Sequence, residues 1–265
     1  MKIVLWLVMP LFLFALSVEN GGVYALEVKK DSVVRLDKKS IPLMKVKKRY
    51  VAFIPIDYKT KSKKICVNII NLNSKREVCI DVKKANYKKE YIKVQNSKVH
   101  PSKKVLNRIY KEYIEAKRIY KRVTKKQYWE KPFVLPIHSK ITSYYGNARI
   151  FNHTLKSFHT GTDFRAKIGT PIKAANDGVV VIAKDRYYAG GSVVIDHGEG
   201  LYSCYYHLSK ILVKKGQKVK RGEIVGLSGR SGRVNGPHLH FTIELYNHAV
   251  NPLEFIKKIN SLFKS

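Results

Sequence analysis

The sequence predicts a mainly β protein. A C-terminal antiparallel β-sheet unit, barrel- and sandwich-like in its hairpins, is preceded by a smaller β-sandwich-like unit, with an amphipathic helix between them. Three observations carry this reading. Short runs rich in β-branched and aromatic residues recur between Gly, Pro and Asn turn signals in both halves. A helical apolar period stands out after Pro101. Strand–helix–strand alternation and a phosphate-binding glycine loop are both missing from the pattern. An apolar content of 45% and a charged content of 27% belong to a globular chain, not a disordered one.

Residues 1–25 read as a signal peptide. Lys2 precedes the uncharged run 3–16, which is too short to cross a bilayer comfortably, and Val23-Tyr24-Ala25 offers a cleavage site. The expectation is an exported protein, in the periplasm or cell wall, with no stable membrane span once that segment is removed. Residues 26–99 form the N-terminal β-domain, with strands near 50–56, 65–69, 78–82 and 90–94. This half has no cluster of His, Asp or Glu, so it reads as a binding, spacing or covering unit. A hairpin centred between Leu72 and Asn73 sets Cys66 opposite Cys79, and export permits the bridge, worth ~3 kcal/mol of chain entropy. Cys204 reads as a free buried thiol. Residues 100–130 supply the linking helix, whose stripe is Ile109, Tyr113, Ala116, Tyr120 and Val123. Residues 131–265 hold the larger β unit, with strands near 171–175, 178–183, 192–197 and 201–207.

The net charge is +33, with most of the excess in the N-terminal half. Such a field attracts polyanions. Nucleic acid is the default partner for it, but export argues for anionic cell-envelope polymers and against nucleic acid.

The chemistry concentrates in the C-terminal half. The run 236–245 alternates apolar residues with His238, His240, Thr242 and Glu244, which puts both imidazoles on one strand face roughly 6.6 Å apart. Upstream, Phe158-His159-Thr160-Gly161-Thr162-Asp163 spaces a histidine and a carboxylate four apart. That is about 13 Å in a regular strand, so Gly161 must bend the segment, as in a bulge, for both to hold one ion. His207 ends another alternating strand. Two imidazoles and a carboxylate suit zinc, which takes three protein ligands and keeps one position open. The spacing does not say which of His238 and His240 is the ligand. No His-Glu-x-x-His motif supplies a glutamate base, so that role falls to the leftover histidines or to Glu244.

Phe158-His159-x-Gly161-x-Asp163, Tyr205-x-His207-Leu208-Ser209 and Gly236-Pro237-His238-Leu239-His240-Phe241 resemble the three motifs of the lysostaphin/LytM-type zinc endopeptidases. The intervening runs Gly169 to Ala174, Asp177-Gly178, Asp196-His197-Gly198 and Gly216 to Gly236 are similar too. The resemblance covers residues 131 to 255. It implies one Zn²⁺ per chain held by His159, Asp163 and His240, with His207 and His238 as the catalytic pair and peptidoglycan peptide bonds as substrate. The alternative it leaves is a catalytically silent wall-binding regulator of other hydrolases. Ser143-Tyr144-Tyr145-Gly146-x-x-Arg149 stands where the family has Ser-x-Phe-Gly-x-Arg, so Tyr145 either packs or meets substrate. His153 is a candidate substrate contact. His100, His138, His197 and His248 read as structural.

Overall fold

The computed structural model describes residues 16–264. The first 15 residues, which hold nearly all of the apolar run assigned to the signal peptide, lie outside them. The boundary drawn at residue 25 does not fit the fold. Ser17–Glu19 pairs in parallel with Ser74–Lys83, and Val23–Val28 pairs along its length with Arg49–Pro55. Val18 and Val23 are both buried. Cutting after Ala25 would remove one strand and half of another. Val23-Tyr24-Ala25 lies within the strand Val23–Val28. Among the described residues no helix is long and apolar enough to cross a membrane.

Two sheets build the N-terminal half. One runs in the order Ser17–Glu19, Ser74–Lys83, Lys64–Asn71, Val33–Leu36, Lys39–Ile41. The other is Val23–Val28, Arg49–Pro55, Leu43–Val46. Ala52, Ile54, Val67, Ile69 and Ile80 from the two sheets share one core. The hairpin register puts Cys66 opposite Cys79, with Asn71 opposite Ser74 at the turn, and the disulfide is formed. Arg49–Pro55 is buried on both faces. Ala52 and Ile54 face that small core, while Val51 and Phe53 turn to the core of the C-terminal half. Its unbroken apolar run, lacking polar alternation, follows from this.

An antiparallel sheet dominates the C-terminal half, in the order Ile141–Ser143, Thr162–Arg165, His238–Leu245, Leu201–Leu208, Gly190–Gly198, Gly178–Arg186, Lys218–Val219. His248–Val250 also pairs with His238–Leu245. A small sheet of Pro171–Lys173, Ile224–Leu227 and Lys210–Ile211 lies beside it. Leu239, Phe241, Ile243 and Leu245 point into the core, as the alternation requires.

The first helix, α1 (Lys103–Tyr120), is not a free solvated link. Ala116, Ile119 and Tyr120 pack on Ile182, Val194, Tyr202 and Cys204. Arg108 bonds both Glu112 and Asp185, and Glu112 also accepts the Tyr187 backbone N–H. Ala116 and Tyr120 of the expected stripe are buried, but Tyr113 and Val123 are exposed. The second helix, α2 (Pro252–Ser261), is unannounced in the strand reading. Asn251 caps it by accepting from Leu253 N and Glu254 N, and Pro252 opens its first turn. Phe255 of α2 packs on Phe53, 5.4 Å between centroids, which joins the two halves.

The halves also exchange a strand. Lys89–Ile92, expected within the N-terminal sandwich, pairs in parallel with Ala148–Phe151, which in turn pairs with Leu155–Phe158. The chain therefore enters the C-terminal unit once at residue 89, before α1.

Candidate metal centre

His240 and Asp163 are register partners on adjacent strands, as are His238 and Arg165. His159 reaches the same place by a different route. Its strand, Leu155–Phe158, belongs to the small sheet, and the chain crosses through Thr160 and Gly161 into Thr162–Arg165 of the large one. The expected bulge within one strand is thus a change of sheet. Gly161 serves by lacking a side chain. A Cβ there would lie 2.4 Å from Phe241 O, 2.6 Å from Thr242 Oγ1 and 2.8 Å from His240 Nε2.

The three side chains converge. His159 Nε2 lies 3.0 Å from Asp163 Oδ1 and 2.9 Å from His240 Nδ1, and His240 Nδ1 is 2.8 Å from Asp163 Oδ1. All three residues are buried. Two neutral imidazoles and one carboxylate on a buried site are the donor set of a zinc site with an open position. The supporting bonds fit as well. His159 Nδ1–H donates to Tyr144 O at 2.8 Å, leaving Nε2 as the ligand atom. His240 Nε2–H faces Thr242 Oγ1 at 3.0 Å, leaving Nδ1. Such outer bonds fix tautomer and ring orientation. Burial alone would raise the Asp163 carboxyl. The adjoining His159 and His240 imidazoles outweigh it and hold the group well below the usual carboxylate range. Burial lowers His240 to about 4, against the pull of Asp163, so the ring is neutral as a ligand must be.

Asp163 Oδ2 accepts from Arg149 Nη2. Arg149 Nε in turn donates to Glu90 Oε2 at 3.2 Å. Glu90 also accepts from Ser143 Oγ at 2.9 Å and Asn147 Nδ2 at 2.7 Å. Glu90 stands in the half whose sequence carries no catalytic pattern. No local signal marks it; only the pairing of Lys89–Ile92 with Ala148–Phe151 sets it opposite Arg149.

His207 and His238 stand beside the group, their rings 4.8 Å apart. His207 has to break strand alternation to get there. Tyr206 is the register partner of His240 and stacks on it at 5.6 Å, so the next residue of a regular strand would face away. His207 takes φ +63°, a left-handed conformation rare outside glycine, which returns its ring to the same side. Its Nδ1–H donates to Ser231 O at 2.8 Å, and His238 Nδ1–H donates to Gly236 O at 2.9 Å. A carbonyl only accepts, so both rings carry their proton on Nδ1 and present a lone pair at Nε2. His238 Nε2 lies 3.7 Å from Asp163 Oδ1. Burial, then the neighbouring His238 and His240, push His207 well below its usual range. His238, whose side chain is 14% exposed, is the more open of the pair and marks the side from which a substrate arrives.

Other candidates fall away from this centre. Glu244 is the register partner of Tyr202, far down its strand, and cannot act as the base. Tyr145 is buried and donates to Ala249 O, so it packs. His153 sits at a hairpin turn beside Tyr91. His197 is buried between Asp177 O and Ser203 Oγ. Cys204 is free and buried, its thiol pushed up to about 12.

The region that contains this centre matches known proteins. Residues 157–252 match the model of peptidase family M23. The peptidoglycan DD-endopeptidase ShyA of Vibrio cholerae is 54% identical over 96 residues, 36% of this chain and 22% of the relative. The DD-carboxypeptidase/endopeptidase Mpg of Neisseria meningitidis is 36% identical over 118 residues, 44% of this chain and 27% of the relative. The chain thus spans about a quarter of the length of these curated relatives. A crystal structure of a putative peptidase M23 from Pseudomonas aeruginosa superposes with a TM-score of 0.72 at 27% identity, covering 89% of this chain and 94% of that one. Residues 157–252 are a peptidase family M23 domain, of a family of metallopeptidases.

Proposed function

We propose that this chain is an exported zinc-dependent endopeptidase that hydrolyses peptide bonds in peptidoglycan cross-links or stem peptides. The observation that carries the reading is the convergence of two imidazoles, each with Nε2 free, on a His-Asp-His ligand group. His159, Asp163 and His240 would hold the ion. Zinc, when bound, polarises a carbonyl oxygen and brings the pKa of water towards about 7.

The chain's own residues move the proton. As water adds to the scissile carbonyl carbon, the lone pair on Nε2 of His207 or His238 accepts its proton. The second imidazole, when it carries a proton on Nε2 as the imidazolium, donates that N–H to the developing oxyanion. The protonated Nε2–H then donates to the leaving amine nitrogen as the C–N bond breaks. Backbone carbonyls of Ser231 and Gly236 take up Nδ1–H of both rings and so turn each Nε2 towards the reacting group. Peptidoglycan as substrate is supported by the named activities of the relatives, and the +33 charge suits an anionic envelope.

The test is digestion of purified peptidoglycan followed by mass spectrometry of the released muropeptides. Activity should disappear with chelator and return with zinc. His240→Ala should lose zinc, whereas His207→Ala and His238→Ala should keep zinc and lose turnover. Intact cleavage by His240→Ala would overturn the ligand assignment. A zinc-loaded wild-type protein that binds wall and releases nothing would instead mark a silent regulator.

A further inference from the structure

The loop between Ile224–Leu227 and His238–Leu245 holds both catalytic rings, and Arg233 stands between the two carbonyls that do so, Ser231 O and Gly236 O. The loop is pinned to the opposite hairpin. Arg233 N donates to Tyr188 O at 2.9 Å, and Ser231 Oγ joins Gly191 N and Leu208 O. A Cβ on Gly232 would fall 2.4 Å from Tyr188 O, so a glycine is needed for this approach. The Arg233 backbone is therefore fixed relative to His207 and His238.

Its side chain is held as well, between two aromatic rings. The guanidinium carbon lies 4.3 Å from the ring centroid of Phe151 and 4.3 Å from that of Tyr188. Contacts with aromatic rings hold a guanidinium without giving its N–H groups an oxygen acceptor. Among the described residues the guanidinium N–H groups of Arg233 have no hydrogen-bond acceptor and no acidic partner. Other arginines here are spent: Arg149 on Glu90, Ser143 and Asp163, and Arg108 on Glu112 and Asp185. Burial lowers the Arg233 pKa, Tyr188 opposes this, and Arg149 adds repulsion. A half-buried, oriented and unpaired guanidinium matches one ligand chemistry above others, a planar bidentate acceptor.

We propose that Arg233, braced by Phe151 and Tyr188, is a subsite for a carboxylate of the substrate peptide next to the scissile bond. This rests on the peptidase reading above. It makes the protein selective for substrates whose flanking residue carries a free carboxylate over those in which it is a carboxamide.

Two synthetic cross-linked peptides, identical except for that carboxylate or carboxamide, test it in the zinc-loaded full chain. Wild type should prefer the acid in kcat/KM by on the order of tenfold to a hundredfold, the weight of a charge-assisted bidentate pair. In R233Q the acid-to-amide ratio should fall to about one. R233K, which keeps charge but not the planar edge, should give an intermediate ratio. Zinc content and melting temperature of each variant report whether the loop has survived. Calorimetry with the same two peptides and metal-stripped protein reads the subsite without turnover. Tighter binding of the acid that R233Q abolishes supports it, even if no peptide is cut and the peptidase reading itself fails. Equal treatment of acid and amide by wild type, or an equal loss on both in R233Q, overturns the subsite and leaves Arg233 as a loop staple.

Discussion

Glu90→Ala removes a carboxylate that touches neither metal ligands nor substrate, and it should still weaken zinc binding. Three donors lose their acceptor: Ser143 Oγ, Asn147 Nδ2 and Arg149 Nε. The Glu90 and Arg149 side chains are 23% and 15% exposed, so water replaces the lost bonds poorly. Losing hydrogen bonds to a charged group costs about 1.5–3 kcal/mol of stability. Arg149, freed on that side, no longer has a fixed position from which to hold Asp163 Oδ2, and Ser143 also touches His159 Nδ1 at 2.9 Å. Loss of outer-shell support typically lowers metal affinity 10- to 100-fold, which is about 1.4–2.8 kcal/mol. Competition against a chelating dye measures zinc affinity directly, and melting with and without zinc separates that loss from a general one. Glu90→Gln keeps one acceptor oxygen and should fall between. An affinity for Glu90→Ala within twofold of wild type would show that the N-terminal half does not tune the metal site, whatever its effect on stability.

Other consequences follow from single contacts. Gly161→Ala places a Cβ within 2.4–2.8 Å of Phe241 O, Thr242 Oγ1 and His240 Nε2, so the ligand strand must move. The expected cost is about 1–3 kcal/mol with a matching fall in zinc affinity, and unchanged melting and affinity would contradict the close approach. Burial raises the Glu244 carboxyl to about 7, from 4.5 when unfolded. The native state then binds more protons between these values, so this contribution is full below pH 4.5 and is lost as pH rises through 7. Glu244→Gln should thus stabilise the protein at pH 8 by up to ~3 kcal/mol relative to wild type and leave pH 4 nearly unchanged, as denaturant unfolding at both pH values can show. Replacing Cys66 and Cys79 together by Ala should cost ~3 kcal/mol in the same assay, with zinc affinity unaltered.

Which features were legible in the sequence depends on the range of the forces that set them. The hairpin through Leu72 and Asn73 and its disulfide register came from local alternation and a turn, and the structure keeps them. The strand faces around His238 and His240 came from the same period of two. The apolar run 3–16 carries the pattern of a signal sequence, and the strand Val23–Val28 follows it closely. Val23 to Val28 alternates as a strand, and only its pairing with Arg49–Pro55 distinguishes that from a cleavage region. His207 is the sharper case. Alternation from Tyr206 predicts the wrong face, and a single residue at φ +63° reverses it. That conformation is unfavourable for a histidine and holds because His207 N binds Ala189 O and His207 Nδ1 binds Ser231 O.

Glu90 was not legible at all, and the reason bears on how the two halves relate. Motif reading divides the chain where composition changes, near residue 131, and assigns chemistry to one side. The fold instead passes a strand across the division at Lys89–Ile92 and places a carboxylate two bonds from a metal ligand. Phe53 against Phe255 and the Gln127 amide bridging both Lys45 N and Lys45 O tie the halves at further points. A covering unit that must leave for the enzyme to work would not be expected to hold the arginine that steadies Asp163. Removing residues 1–99 should therefore cost zinc affinity as Glu90→Ala does, rather than release a more active enzyme. A truncated chain that binds zinc normally and turns over faster would reverse that conclusion.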